Sequence, residues 1–425
     1  MEISIDLTNR VSSAVDARRD HAVDELRRFV AIPSVTGSEG AVQDEIQRSF
    51  TERELDIDRW EATAEEIAGY EDHVGFQEVF AGRPNLAATR PGAGDGRSII
   101  LNAHIDTVEN GDPATWTQDP NGGEVIGKLL YGRGSCDMKG GLVTFLTALD
   151  ALDAEGVRLK GDVTVLTTVG EEDGGLGALS SILRGHKADA VLITEPTRLA
   201  LVTAQGGSLV LRITIRGRSA HAAVRDRGVS AFEKFVPIFQ TMQEFERERN
   251  ATIQHPLYTH IANKIPVNFG VVRSGLWAST VPESLVAEGR IGLISGEEVE
   301  PFRDLVVERI MSVANRDPWL REHPPEIEWF GGQFAPAETP VDSDIALAVS
   351  RAHERVTGSA PAVEGVPYGA DMRLFTRIGN MPCVMYGAGD VDVAHYADEH
   401  ISIPDLLTAS KTIACLLMDW CGISE

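Results

Sequence analysis

Side chains that can hold a metal ion or move a proton recur just beyond short apolar runs of this chain, and that placement leaves few architectures open. His104 and Asp106 close the run Ser98-Ile99-Ile100-Leu101, Glu171 and Glu172 follow a run ending at Val169, Glu195 follows Ala190-Val191-Leu192-Ile193, and His395 comes after Cys383-Val384-Met385-Tyr386. Helical periodicity fills the intervals: Ala22, Val23, Leu26, Phe29 and Val30, then Val42, Ile46 and Phe50, then Leu142, Leu146, Leu149 and Leu152. Strands alternating with helices predict a layered α/β domain, and in open α/β sheets the rim beyond the strand ends is where ligands bind. With Asp137, the rim carries two imidazoles and three carboxylates, a ligand set for two divalent ions with one carboxylate shared. An adjacent glutamate is left over as a base.

The texture changes after Gly206-Gly207. The pattern predicts a strand at 208–215, a helix at 229–246, strands at 267–272 and 285–293, a helix at 299–313 and a strand at 326–330, which is the βαββαβ order of a ferredoxin-like module. From Thr339 the α/β texture resumes, with helices near 345–356 and 406–417. The expected organisation is a catalytic domain in two parts, 1–206 and 334–425, interrupted by an inserted domain at 207–333. A length of 425 residues agrees, being more than one ordinary core accommodates.

Charge narrows the partners. Asp and Glu number 64 against 39 Lys and Arg, a formal net charge of −25, and such a field repels nucleic acid and anionic membrane surfaces. The four cysteines, Cys136, Cys383, Cys415 and Cys421, form no C-x-x-C pair and read as reduced thiols. The first residues are acidic where a signal peptide is basic, and no apolar run spans a bilayer, so a cytoplasmic location is expected.

The motifs Asn102-Ala103-His104-Ile105-Asp106-Thr107-Val108, Gly132-Arg133-Gly134-Ser135-Cys136-Asp137-Met138-Lys139-Gly140-Gly141, Glu171-Glu172, Glu195-Pro196-Thr197, Gly217-Arg218-Ser219-Ala220-His221-Ala222 and Ala394-His395-Tyr396-Ala397-Asp398-Glu399 stand in an informative order. In that order the chain resembles the dinuclear-zinc M20 amidohydrolases, among them acetylornithine deacetylase, succinyl-diaminopimelate desuccinylase, aminoacylase and carboxypeptidase G. The resemblance implies two divalent ions, zinc with cobalt or manganese as substitutes. Asp137 would bridge them, His104 and Glu195 would complete one site, and Glu172 and His395 the other. Glu171 would be the general base, Asp106 would hold the imidazole of His104, and the peptide after Asp137 would be cis. It also implies that the inserted domain is a lid and a homodimer contact, with His221 reaching the partner subunit's site to steady the oxyanion.

The implied reaction is hydrolysis of a linear amide, removing a small N-acyl group from a small-molecule substrate as an acetylornithine deacetylase does. Substrate contacts are expected from Arg373, in Asp371-Met372-Arg373, and from Gly389, in Gly387-Ala388-Gly389. One departure bears on the substrate. Family deacylases carry Asn in a Gly-Gly-x-x-x-Asn-x-x-Pro stretch and Arg on the next strand, both gripping a carboxylate, whereas here Ser279 takes the Asn position and the Arg position falls near Gly292, with Arg290 two residues earlier. This resembles the N-formyl aminopyrimidine deformylases, whose substrate has no α-carboxylate and whose ring could stack on Trp277 or Tyr368. A dipeptidase or aminoacylase, and a catalytically inactive binding relative, are the other readings.

Overall fold

The computed structural model describes residues 3–75, 77 and 79–424. The chain forms two compact units. One runs to Thr203 and takes in Glu338–Glu364 and the chain from Ala370 onward, and the other comprises Ala204–Ala337 and Gly365–Gly369.

A mixed sheet forms the centre of the larger unit, with strands in the order Asp56–Glu61, Pro84–Arg90, Val163–Thr168, Ile99–His104, Val191–Ile193, Cys383–Met385, Leu201–Gln205 and Ala337–Glu338. Its middle is parallel: Ile99–His104 pairs in parallel with Val163–Thr168 and Val191–Ile193, and Cys383–Met385 pairs in parallel with Val191–Ile193. Parallel strands are covered on both faces and therefore read as continuous apolar runs, and all six residues of Ile99–His104 are buried. The flanks are antiparallel, Pro84–Arg90 against Val163–Thr168 and against Asp56–Glu61.

The helix Gly140–Ala154 departs from the amphipathic reading of its leucines. Nearly every residue from Gly140 to Leu152 is buried, because Ile5–Ala17, Arg19–Val30 and Ile403–Cys421 pack on it as well as the sheet. A helix enclosed on all sides is apolar all round, and the small residues between its leucines, Thr144, Thr147 and Ala148, belong to the core as much as the leucines do.

The smaller unit has the βαββαβ order: Gly207–Arg216, Ala231–Thr252, Val267–Ser274, Ser284–Leu293, Val299–Ala314, Glu326–Phe334. Its four strands lie in the order Val267–Ser274, Ser284–Leu293, Gly207–Arg216, Glu326–Phe334, all antiparallel. Leu209, Leu211, Ile213 and Ile215 alternate onto the face that meets Phe235, Ile238 and Met242 of one helix and Phe302, Val306 and Ile310 of the other. Among the described residues no helix is long and apolar enough to cross a membrane.

Candidate metal centre

The parallel strands of the larger unit deliver their last residues to one rim. His104 ends its strand, Glu171 and Glu172 lie three and four residues past Thr168, Glu195 two past Ile193, and His395 ten past Met385. Asp137 comes from the segment Ser135–Lys139, which leads into the helix at Gly140, and its peptide to Met138 is cis.

His104, Asp137 and Glu195 place one donor atom each within 4.8 Å of one another, and so do Asp137, Glu172 and His395. Asp137 is common to both groups. Its Oδ1 lies 3.0 Å from His104 Nε2 and its Oδ2 3.4 Å from His395 Nε2, so its two oxygens face two different imidazoles. His395 Nε2 also meets Glu172 Oε1 at 3.1 Å, and His104 Nε2 stands 4.0 Å from Glu195 Oε1. Two imidazoles and three carboxylates, one of them facing both ways, suit two divalent cations.

Electrostatics agree with that donor set. Burial above all, then the carboxylates of Glu195, Asp371 and Glu172, pushes Glu171 well above the carboxylate range. Burial first, with Asp137, Asp371 and Glu172, raises Glu195 to about 8. Hydrogen bonds to Asp137 and Glu172 raise His395 to about 10. Burial opposes charge on His104, but Asp137 and Glu195 outweigh it and lift the imidazole well above its ordinary value. A rim that confines this much negative charge retains protons wherever it lacks cations, so these residues fit a pair of divalent ions.

Asp106 is fully buried and takes up three donors. Its Oδ1 accepts the Glu171 N–H at 3.2 Å, its Oδ2 the Glu172 N–H at 3.2 Å and the Thr36 hydroxyl at 3.0 Å. His104 Nδ1 lies 3.1 Å from the main-chain carbonyl of Asp106 and 3.7 Å from its carboxylate. Glu171 is 7 % exposed and belongs to neither group of converging donors.

The residues expected to touch substrate are spread over both units. Arg373 is 2 % exposed, and its guanidinium donates to the carbonyls of Ala370, Gly174 and His73 at 2.8, 2.6 and 3.3 Å. It braces the turn that follows Glu172. Gly389 has φ of 95°, and a Cβ there would stand 2.6 Å from Cys136 Sγ, so this close approach and backbone conformation need glycine. His221, Ser279 and Arg290 belong to the smaller unit. His221 is exposed and accepts the Ala223 N–H on Nδ1 at 3.1 Å. Ser279 is exposed, its carbonyl taking the Ala222 N–H at 2.9 Å. Arg290 donates through Nε to Ser208 Oγ at 2.5 Å and through Nη2 to the Pro367 carbonyl at 3.3 Å.

A buried ion pair and a loop hydroxyl escaped the sequence reading. Arg133 and Glu399 stand in the quoted motifs without a role, yet their side chains meet at 2.7 Å behind Asp137. They are 266 residues apart in sequence, and no periodicity announces such a pair. Thr36 is the other, a short loop hydroxyl reaching Asp106.

Comparison with known proteins follows the same lines. Residues 100–419 match the model of peptidase family M20/M25/M40. An N-formyl-4-amino-5-aminomethyl-2-methylpyrimidine deformylase of Halalkalibacterium halodurans is 29 % identical over 373 residues, covering 83 % of this chain and 86 % of that protein. An acetylornithine deacetylase of Myxococcus xanthus is 30 % identical over 362 residues, again covering 83 % and 86 %. Among solved structures, a dinuclear metal-binding peptidase of Bacillus subtilis superposes with a TM-score of 0.62 at 17 % identity over 96 % of this chain and 99 % of that one, which is likeness of fold.

Proposed function

The chain belongs to peptidase family M20/M25/M40 and is a hydrolase of amide bonds, and from that premise we propose that it removes a small N-acyl group from an amine by water activated at a two-ion centre. The observation that carries this reading is the pair of donor groups sharing Asp137, with Glu171 buried in the adjoining turn. His104, Asp137 and Glu195 would hold one ion and Asp137, Glu172 and His395 the other. Bound there, zinc, or cobalt or manganese in its place, supplies Lewis acidity to the scissile carbonyl and acidifies the attacking water. Glu171 takes the proton from that water and returns it to the departing nitrogen. Its carboxyl is buried beside the two donor groups without belonging to either, which leaves it free to carry a proton from bond formation to bond cleavage. Asp106 fixes Glu171 and Glu172 through their N–H groups.

The smaller unit acts as lid and homodimer contact, and His221 of one subunit steadies the oxyanion in the other. Support comes from its edge strand Val267–Ser274 and from exposed Phe232, Phe239, Val272 and Trp277 on that unit, since an unpaired edge beside apolar side chains is a surface suited to a second copy.

On the amine side, the reading with most support is an N-formyl aminomethylpyrimidine. Ser279 stands where a carboxylate-binding Asn is expected, and at Gly292 a Cβ would stand 3.0 Å from the Ile265 Cα, so a side chain at the usual Arg position would press on the backbone of Ile265. A carboxylate deprived of that fork loses its bidentate partner. N-acetylornithine is the second reading, favoured by Arg290, whose hydrogen bonds go to Ser208 and Pro367 and whose charge meets no acid among the described residues. Steady-state rates on the two compounds decide. A kcat/KM of about 10⁴ M⁻¹s⁻¹ or more for the formyl pyrimidine, with little for acetylornithine, is expected; the reverse order transfers the assignment to the amino acid, and hydrolysis of dipeptides alone overturns the deacylase reading.

A further inference from the structure

We propose that Glu399, paired with Arg133, is the positioning residue that holds Asp137 and His395 in register, and that the Asp137–Glu172–His395 ion site depends on it more than the His104–Asp137–Glu195 site does. The inference rests on the two-ion reading above.

Glu399 is 1 % exposed and its carboxylate is fully engaged. One oxygen accepts the N–H groups of Cys136 and Asp137 at 2.9 and 3.0 Å, and the other accepts Arg133 Nη1 at 2.7 Å. Its carbonyl takes the N–H of Gly132 at 2.8 Å. Four contacts therefore join this residue to the stretch 132–137, and two of them reach Asp137 or the residue before it. A carboxylate oxygen that accepts two successive peptide N–H groups fixes the plane from which the Asp137 side chain departs.

The same short turn carries His395. That residue has φ of 61° and Asp398 has φ of 58°, both in the left-handed region where a non-glycine residue needs its surroundings to hold it. Asp398 supplies part of the hold, its carboxylate accepting the N–H groups of Thr117 and Gln118 at 2.8 and 3.1 Å and the Thr117 hydroxyl at 2.7 Å. Glu399 supplies the buried part.

The two ion sites do not depend equally on this turn. His104 ends a strand that is paired on both sides, and Glu195 follows a strand that is likewise paired on both sides. Both side chains are buried, at 1 % and 5 % exposure. The imidazole of His395 is 49 % exposed and reaches the centre only from the turn. Loss of the Glu399 carboxylate thus disturbs two of the three donors of one site, Asp137 and His395, and one of three in the other.

The test is graded removal of metal from the zinc-loaded protein by a chelator, dipicolinate, with ions per chain counted by mass spectrometry. Wild type is expected to bind two ions. Glu399→Ala should release one of them at a chelator concentration about 10–100-fold lower, the usual loss when a partner behind a ligand is removed, and keep the other. Glu399→Gln retains an oxygen for the two N–H groups but gives up the charge, so its weaker ion should fall between wild type and the Ala variant. If Glu399→Ala does not fold, judged by circular dichroism, Glu399→Gln alone carries the test. Release of both ions at wild-type concentrations in Glu399→Gln, or loss of both together in either folded variant, overturns the proposal. Failure of the wild type to bind ions overturns the two-ion reading instead, so the two failures are distinguishable.

Discussion

Replacing Asp106 by asparagine separates two tasks that one residue performs. Its main-chain carbonyl holds His104 Nδ1 at 3.1 Å, while its carboxylate accepts the N–H groups of Glu171 and Glu172 at 3.2 Å each. The substitution leaves the carbonyl in place and keeps one side-chain oxygen, but turns an NH₂ toward one of the two N–H groups. A buried donor without an acceptor costs about 1–3 kcal/mol, and if that cost falls on the placement of Glu171 it corresponds to a loss of about 5- to 150-fold in turnover at 1.36 kcal/mol per factor of ten. With the retained oxygen serving the Glu172 N–H, metal content should stay at the wild-type level, because His104, its carbonyl partner and Glu172 are then all held as before. The assay is kcat on the amide the enzyme turns over best, beside ions per chain by mass spectrometry. A full rate would refute the bracing role, and loss of an ion with the rate following metal content would move the carboxylate's role from Glu171 to the ligands Glu172 and His104.

Glu171→Gln should retain both ions and lower kcat by about 10²–10⁴-fold, the usual contribution of a general base, measured as turnover beside metal content; a normal rate dismisses Glu171 from proton transfer. Arg83→Met leaves Glu39, fully buried and bonded to Arg83 at 2.6–3.1 Å, without its cation, and should cost about 3–5 kcal/mol in urea unfolding, of which Arg83→Met with Glu39→Gln recovers the greater part. Equal stability of the single and double variants would contradict this. If His221 acts across a dimer, mixing inactive His221→Ala and Glu171→Gln subunits restores roughly a quarter of the wild-type rate, since half of random pairs are hybrids with one complete site of two; no recovery after subunit exchange counts against a shared site.

The alternation of strands and helices was legible because parallel strands must be apolar along their whole length and their ligands must leave from the carboxyl ends. The placement of His104, Glu195 and the Glu171-Glu172 pair at or just beyond strand ends was readable from that rule. The βαββαβ insertion was readable from the period-two pattern at Leu209, Leu211, Ile213 and Ile215. The antiparallel edge strand Asp56–Glu61 was not, since only Trp60 of its six residues is buried and no apolar alternation marks it. Nor were the contacts of Asp106, Arg133 and Arg373. A guanidinium that holds main-chain carbonyls looks, in sequence, the same as one that waits for a substrate anion; only the fold shows where its donors go.

The order in which the chain leaves the ribosome gives the central sheet a further meaning. Cys383–Met385 pairs with Val191–Ile193 on one side and Leu201–Gln205 on the other, so the sheet of a nascent chain keeps an open slot until residues 383–385 have been made. His104, Asp137 and Glu195 emerge first, and His395 follows 200 residues after Glu195 (395 − 195), an interval of about 10–40 s at 5–20 residues per second. Through that interval the growing chain owns the whole of the His104–Asp137–Glu195 donor group and two of the three donors of the Asp137–Glu172–His395 group. Slot and second donor group are then filled by the same stretch of chain, so the candidate metal centre is completed by the segment that closes the sheet.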